Sequence, residues 1–226
     1  MGSHFASRTE AGQLLAERLK ERHYAKPVAL ALPRGGVPVA LEIAKVLQAP
    51  LDLLLVRKIG VPYQPELALG AVVDGDTPQV VVNEDIKQHA NVSDEEFEVL
   101  KAHELREIER RRSSYLKGRK RVSVKGMTAI VIDDGIATGA TVRAALKALR
   151  LAEPDRLVLA VPVAPKDTLQ QLRSEVDEIV CIESPELFYS ISPYYDDFQQ
   201  VSDQQVIAWL AEGDQIATSA SQDNAD

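Results

Sequence analysis

Apolar positions along the chain fall into two alternating rhythms. Residues 28–32, 51–56, 127–132, 156–163 and 178–182 are short, nearly continuous apolar runs, which predict strands buried on both faces. Between them, apolar residues recur three and four apart. Segment 7–22 places Leu14, Leu15 and Leu19 on one helical stripe, and 37–48, 141–152 and 167–173 read as further helices. Buried strands alternating with helices predict an α/β fold, a mostly parallel central sheet with helices on both faces.

Two stretches break that rhythm. In the middle, 69–73 and 79–82 predict a strand pair around the turn Asp74-Gly75-Asp76. The preceding 59–67 contains Gly60, Pro62 and Pro65 and predicts a loop. Ser93 with Glu96 three residues later is a capping box. It opens a long inserted helix over 93–117, with Phe97, Leu100, Ile108 and Tyr115 as its stripe. After residue 182 the pattern gives way to an aromatic-rich segment and a last helix over 203–210. The tail from 213 is small and polar, which predicts disorder. The expected organisation is therefore a core over 1–182, a small hood segment over 183–212 and a disordered tail over 213–226.

Composition changes this picture mainly by exclusion. With 226 residues, 45% hydrophobic and 27% charged, the chain is an ordinary globular one able to bury a sizeable core. A net charge of −8 and a pI near 5.1 argue against coating nucleic acid, which rests on phosphate neutralisation. Cys181 is the single cysteine and the four histidines lack zinc spacing, so neither disulfides nor a zinc site are expected. No run approaches 18 apolar residues, so no membrane span is expected and the class is a cytoplasmic protein. One basic patch stands out: Arg106, Arg110, Arg111 and Arg112, then Arg119, Lys120 and Arg121. Interleaved glutamates make it a solvated face; a dimer contact or a nucleic-acid patch is the alternative.

The chemistry concentrates in Ile130-Val-Ile-Asp-Asp-Gly-Ile-Ala-Thr-Gly-Ala-Thr141. An apolar strand delivers two adjacent carboxylates, and a loop of small residues leads into a helix. Backbone N–H groups from Gly135, Ile136, Ala137, Thr138, Gly139, Ala140 and Thr141, with two threonine hydroxyls, suit a phosphate at a helix N-terminus. Asp133 and Asp134 suit the vicinal hydroxyls of a ribose, directly or through a metal. The loop lacks the Gly-Lys-Ser/Thr of a Walker A motif and the Gly-x-Gly-x-x-Gly of a dinucleotide fold. The bland alternative is a solvated acidic turn, although paired carboxylates beside a buried strand are costly without a ligand.

This strand, its two acidic residues and the following Ala-Thr-Gly-x-Thr resemble the signature of the type I phosphoribosyltransferases, and the chain follows the family order over roughly 27–182. The resemblance implies that fold with its hood. It implies Mg²⁺-dependent transfer of a phosphoribosyl group from 5-phosphoribosyl 1-diphosphate to a nitrogenous, purine-like base, in a homodimer. Pro33-Arg34-Gly35-Gly36 occupies the place of the family's pyrophosphate loop, where a non-proline cis peptide is expected at Arg34–Gly35. Arg57-Lys58 resembles the start of the family's mobile catalytic loop. The implied catalytic set is Arg34, Arg57, Lys58, Asp133 and Asp134. Gly35 and Gly36 would join Arg34, Arg57 and Lys58 on pyrophosphate, and Asp133 and Asp134 would orient the metal through water or ribose hydroxyls. The hood candidates for the base are Phe188, Tyr189, Tyr194 and Tyr195, with Asp196 and Asp197; a hydrophobic minicore is the alternative. The strand-end lysine that reads a 6-oxo group in hypoxanthine-guanine enzymes is replaced by Val161-Pro162-Val163-Ala164, and Lys166 comes only after it. A non-catalytic sensor of the same ligand is the competing function.

Overall fold

The computed structural model describes residues 4–74, 78–116, 118–119 and 121–223, and side chains up to residue 216 apart from those of residues 65 and 66. Five parallel strands form the central sheet: β1 (Pro27–Ala31), β2 (Leu51–Leu53), β6 (Thr128–Ile132), β7 (Arg156–Val163) and β8 (Glu178–Glu183), in the order β2-β1-β6-β7-β8. Alternate side chains leave the sheet on opposite faces. Ala29, Ala31, Ile130, Ile132, Val158 and Ala160 join one core with α1 (Arg8–Lys20) and α2 (Gly36–Leu47). Val28, Leu30, Ala129, Val131, Leu157 and Leu159 join the other with α5 (Ala140–Leu151), and α6 (Lys166–Leu172) adds Leu172. Burial on both faces explains the continuous apolar runs.

The insertion between β2 and β6 differs from the expectation. β3 (Val56–Val61) and β4 (Gln64–Val73) form an antiparallel hairpin through residues 62–63, where a loop was expected. Gly60 marks a bulged register and Pro62 a tight turn, not an irregular segment. β5 (Gln79–Val82) completes a three-stranded sheet; Gly75 and Asp76 of the expected turn lie outside the described residues. A short α3 (Glu84–His89) precedes α4 (Asp94–Leu116). The capping box is formed: Ser93 Oγ accepts from Glu96 N–H, and Glu96 Oε2 accepts from Ser93 N–H at 2.9 Å. The hairpin sheet packs between α4, which meets Ile59, and α5, which faces Val56 and Val81.

The patch on α4 and beyond is not a uniform solvated face. Arg112 is buried, with Nη1 2.5 Å from Asp74 Oδ2, and Arg121 reaches Asp74 Oδ1 at 2.8 Å. Lys120 lies outside the described residues. At the C-terminus, α7 (Asp203–Asp223) runs beyond the expected end at 210, into the stretch expected as a tail. The reason is packing: Gly213 abuts the Leu51 side chain, and Ile216 rests on the core. Residues 224–226 lie outside the described residues.

Candidate active site

The sheet order places the site. The chain moves outward from β1 to β2, then returns to lay β6 on the other side of β1. The carboxyl ends of β1 and β6 are therefore neighbours at a topological switch point, where open α/β sheets bind ligands. The register pairs Ala31 with Ile132, and Leu32 N–H donates to the Ile132 carbonyl at 2.9 Å. The loops 33–36 and 133–139 consequently emerge side by side.

Their closeness requires glycine. A Cβ on Gly35 would lie 2.0 Å from Asp134 Oδ2, and one on Gly36 would lie 2.6 Å from the Ile132 carbonyl oxygen. Arg34 follows a non-proline cis peptide at Pro33–Arg34, one bond before the expected position. Its Nη1 lies 3.5 Å from Asp203 Oδ1, at the start of α7; Tyr115 Oη donates to the same oxygen at 2.8 Å. Burial, then that hydrogen bond, raises the Tyr115 phenol above its ordinary range.

The loop after β6 enters α5 through Gly139, whose φ of 73° is left-handed. Ile136 anchors it in the core, and its N–H donates to the Val163 carbonyl at 2.9 Å. Thr168 Oγ1 donates to the Ala137 carbonyl at 2.9 Å. Ala137, Thr138, Ala140 and Thr141 are exposed around the helix start, whose first N–H groups lack intrahelical acceptors. Helix N-termini of this kind suit an anion.

The two carboxylates differ. Asp134 is buried; Oδ2 accepts from Arg8 Nε at 2.7 Å, and its carbonyl accepts from Tyr195 Oη at 2.6 Å. Asp133 is half-buried, and its Oδ1 accepts from Asp134 N–H at 2.9 Å. Burial first, then the Asp134 charge, pushes the Asp133 carboxyl well above the usual carboxylate range.

The remaining candidates are separated. Strand alternation sends Arg57 and Lys58 to opposite faces of the hairpin sheet. Arg57 Nε donates to Glu104 Oε2 of α4 at 2.7 Å. Lys58 faces α5 across a cleft of about 610 Å³ that also exposes Thr138 and Thr141. They do not form one cationic pair on a mobile loop, because that segment is a strand. Among the hood candidates, Phe188 and Tyr194 stack at 5.7 Å, while Tyr189 is exposed. Tyr195 is buried between Phe5 and Phe198, in the packing rather than facing a base. Burial and the nearby Asp134 charge push its phenol upward. Asp196 meets His4, and Asp197 Oδ1 accepts from Gln199 N–H. Residues 194–197 pair instead with the N-terminus: Phe5 N–H donates to the Tyr194 carbonyl and Asp196 N–H to the Phe5 carbonyl, both at 2.9 Å.

Arg8 is the site residue that sequence reasoning missed. An amphipathic first helix signals only a core contact, and nothing in its spacing points 126 residues ahead to Asp134. Cys181 matches its expectation as a packed thiol; burial pushes it up to about 11. No helix among the described residues is long and apolar enough to cross a membrane.

The loop after β6 and an acidic pair thus meet at the switch point of a parallel sheet. The chain belongs to the phosphoribosyl transferase domain family, whose model matches residues 4–199. It is 44% identical over 206 residues to a protein of Mycobacterium tuberculosis H37Rv named "Putative phosphoribosyl transferase Rv0571c". That match covers 91% of this chain and 46% of the relative, so the chain spans about half the length of the curated relatives it matches. The crystal structure of TT1426 from Thermus thermophilus superposes with a TM-score of 0.82 at 38% identity, covering 92% of this chain and 98% of that one. The parallel sheet flanked by helices is thus the type I phosphoribosyltransferase fold.

Proposed function

We propose that this chain transfers a 5-phosphoribosyl group from 5-phosphoribosyl 1-diphosphate to a ring nitrogen of a purine-like base in the cytoplasm. The observation that carries this reading is the close seating of Gly35 against the Asp134 carboxylate. It joins a candidate pyrophosphate loop to a candidate ribose clamp.

In this reading the backbone N–H groups of 137–141, with Thr138 and Thr141, hold the 5′-phosphate. Lys58, across the cleft from both threonines, adds charge at that end. Asp133 accepts from a ribose hydroxyl. The bond from C1 of the ribose to pyrophosphate oxygen breaks, with oxocarbenium character at C1. A base nitrogen then bonds C1 and gives its proton to the departing pyrophosphate or to water. Charge grows on the departing pyrophosphate, where Arg34 supplies a planar fork of donors. The acidic pair fits Mg²⁺ in a limited way. No group of three or more His, Cys, Asp or Glu able to hold a metal exists among the described residues, and Asp134 is already paired with Arg8. Asp133 would meet the ion beside donor oxygens and water, and the ion would offset the leaving group's charge. The stacked Phe188 and Tyr194 are the proposed base platform.

The test is a screen of bases for pyrophosphate release, with calorimetric binding of the diphosphate alongside. Arg34→Ala is expected to lower kcat by about 10²–10³ and donor affinity by less. A second reading, a regulatory protein that binds the donor without turnover, is favoured by Arg57 being held by Glu104 away from Lys58. Tight donor binding with no base accepted would establish it.

A further inference from the structure

The N-terminal segment reaches the acidic pair through Arg8, and its contacts go beyond what anchoring a helix needs. Arg8 and Asp134 are both nearly buried, at 12% and 11% side-chain exposure. The same guanidinium donates from Nη1 to the Gln199 carbonyl at 2.9 Å and lies 3.8 Å over the Phe198 ring. Asp134 is thus gripped from three separate segments: Arg8 on its carboxylate, Gly35 pressed against that carboxylate, and Tyr195 Oη on its carbonyl. Its own N–H points at Asp133 Oδ1.

We infer that Arg8 is a positioning residue for the sugar clamp: it holds Asp134 as a fixed anion and, through the Asp134 N–H, sets the Asp133 carboxylate that meets the ligand. The two acids then have different jobs. Asp134 Oδ2 is spent on a buried ion pair, which is costly to break once formed. Asp133 keeps Oδ2 for a ribose hydroxyl or a hydrated cation while Oδ1 stays on the Asp134 amide. Planarity matters as well as charge, because one guanidinium serves a carboxylate, a carbonyl and an aromatic face together, which a compact lysine ammonium does not match. The inference rests on the phosphoribosyl reading of the site.

The test uses the full chain and measures, well below each variant's melting transition, binding of 5-phosphoribosyl 1-diphosphate with Mg²⁺ and of inorganic phosphate. Arg8→Gln is expected to weaken the diphosphate about tenfold or more, as loss of an outer-shell partner does, and to leave inorganic phosphate on the 137–141 loop unchanged. Arg8→Lys is expected to recover part of that loss, and Asp134→Asn added to Arg8→Gln to cost little more. A folded Arg8→Gln protein that binds the diphosphate as wild type does overturns the inference. Equal loss of both ligands also overturns it, since that marks a general structural effect. If Arg8→Gln does not fold, Phe198→Leu removes the ring under Arg8 and keeps the charge pair. It is expected to weaken the diphosphate severalfold, and unchanged binding overturns the inference. A wild type that binds no diphosphate overturns the functional reading and takes this inference with it, an outcome visible before any variant is made.

Discussion

Two groups of buried or half-buried carboxylates flank the central sheet, one beside edge strand β2 and one at the carboxyl ends of β1 and β6. Beside β2, Asp52 and Asp74 meet Arg112 and Arg121, and Asp52 also accepts from the N–H groups of Leu53 and Val122 at 2.8 and 2.9 Å. Two acids face two guanidiniums, so the cluster is closed in charge, although Arg112 Nη2 makes no hydrogen bond. At the strand ends one guanidinium, that of Arg8, pairs with Asp134, and Asp133 is left with an amide. Both clusters carry the desolvation cost of buried charge. Only the second has more carboxylates than guanidiniums, which is a reason to place a ligand there. The first explains part of an α4 whose charges otherwise look like surface decoration.

Neutralising Asp74 is the strongest way to test the closed cluster. Asp74→Asn leaves Arg112 and Arg121 without their shared anion, and the expected loss is about 3–5 kcal/mol of unfolding free energy in urea. Donor binding by the folded fraction should be unchanged. A loss below about 1 kcal/mol, the range of exposed pairs, would show the cluster to be solvated after all.

The open cluster should respond with the opposite sign. Asp133→Asn removes a carboxylate that burial and Asp134 disfavour, so the ligand-free protein should melt no lower than wild type. Its affinity for 5-phosphoribosyl 1-diphosphate with Mg²⁺ should fall by about 1.5–3 kcal/mol, the range for a charge-assisted hydrogen bond. Calorimetric binding and thermal melts on one preparation check both halves. A lower melting point with unchanged affinity would make Asp133 a structural group.

The contrast also marks what could be read from sequence. The parallel sheet was legible because strands buried on both faces must be apolar throughout, as 129–132 and 157–163 are. The loop between β6 and α5 was legible because strand, carboxylates, small residues and helix follow one another locally. Arg112 was not: it looks like its neighbours Arg110 and Arg111, and its partner Asp74 is 38 residues away. The same holds for Arg8. The hairpin was hidden because Gly60 and Pro62, read as loop formers, instead serve a bulge and a turn. α7 was hidden because a tail of small polar residues looks unstructured until Gly213 meets Leu51.

The smallest effect is the pH slope of the open cluster, and its sign follows from the direction of the Asp133 shift. Burial first and the Asp134 charge second raise that carboxyl above its ordinary range. A carboxyl raised by folding holds its proton more tightly in the folded chain than in the unfolded one. The stability it contributes is complete below the unfolded value of about 3.9. That stability is lost as pH rises through the folded value, at a slope of at most about 1.4 kcal/mol per pH unit. Ligand-free wild type should therefore lose stability across that window relative to Asp133→Asn, in which the group is absent. Donor and Mg²⁺ should act the other way. They favour the ionised carboxylate, so affinity should rise with pH over the same window and flatten the melting curve of the complex. Melts of both proteins from about pH 4 to 8, with and without donor, check this. Parallel curves for wild type and Asp133→Asn would show that Asp133 titrates alike folded and unfolded, and that the open cluster is as well compensated as the closed one.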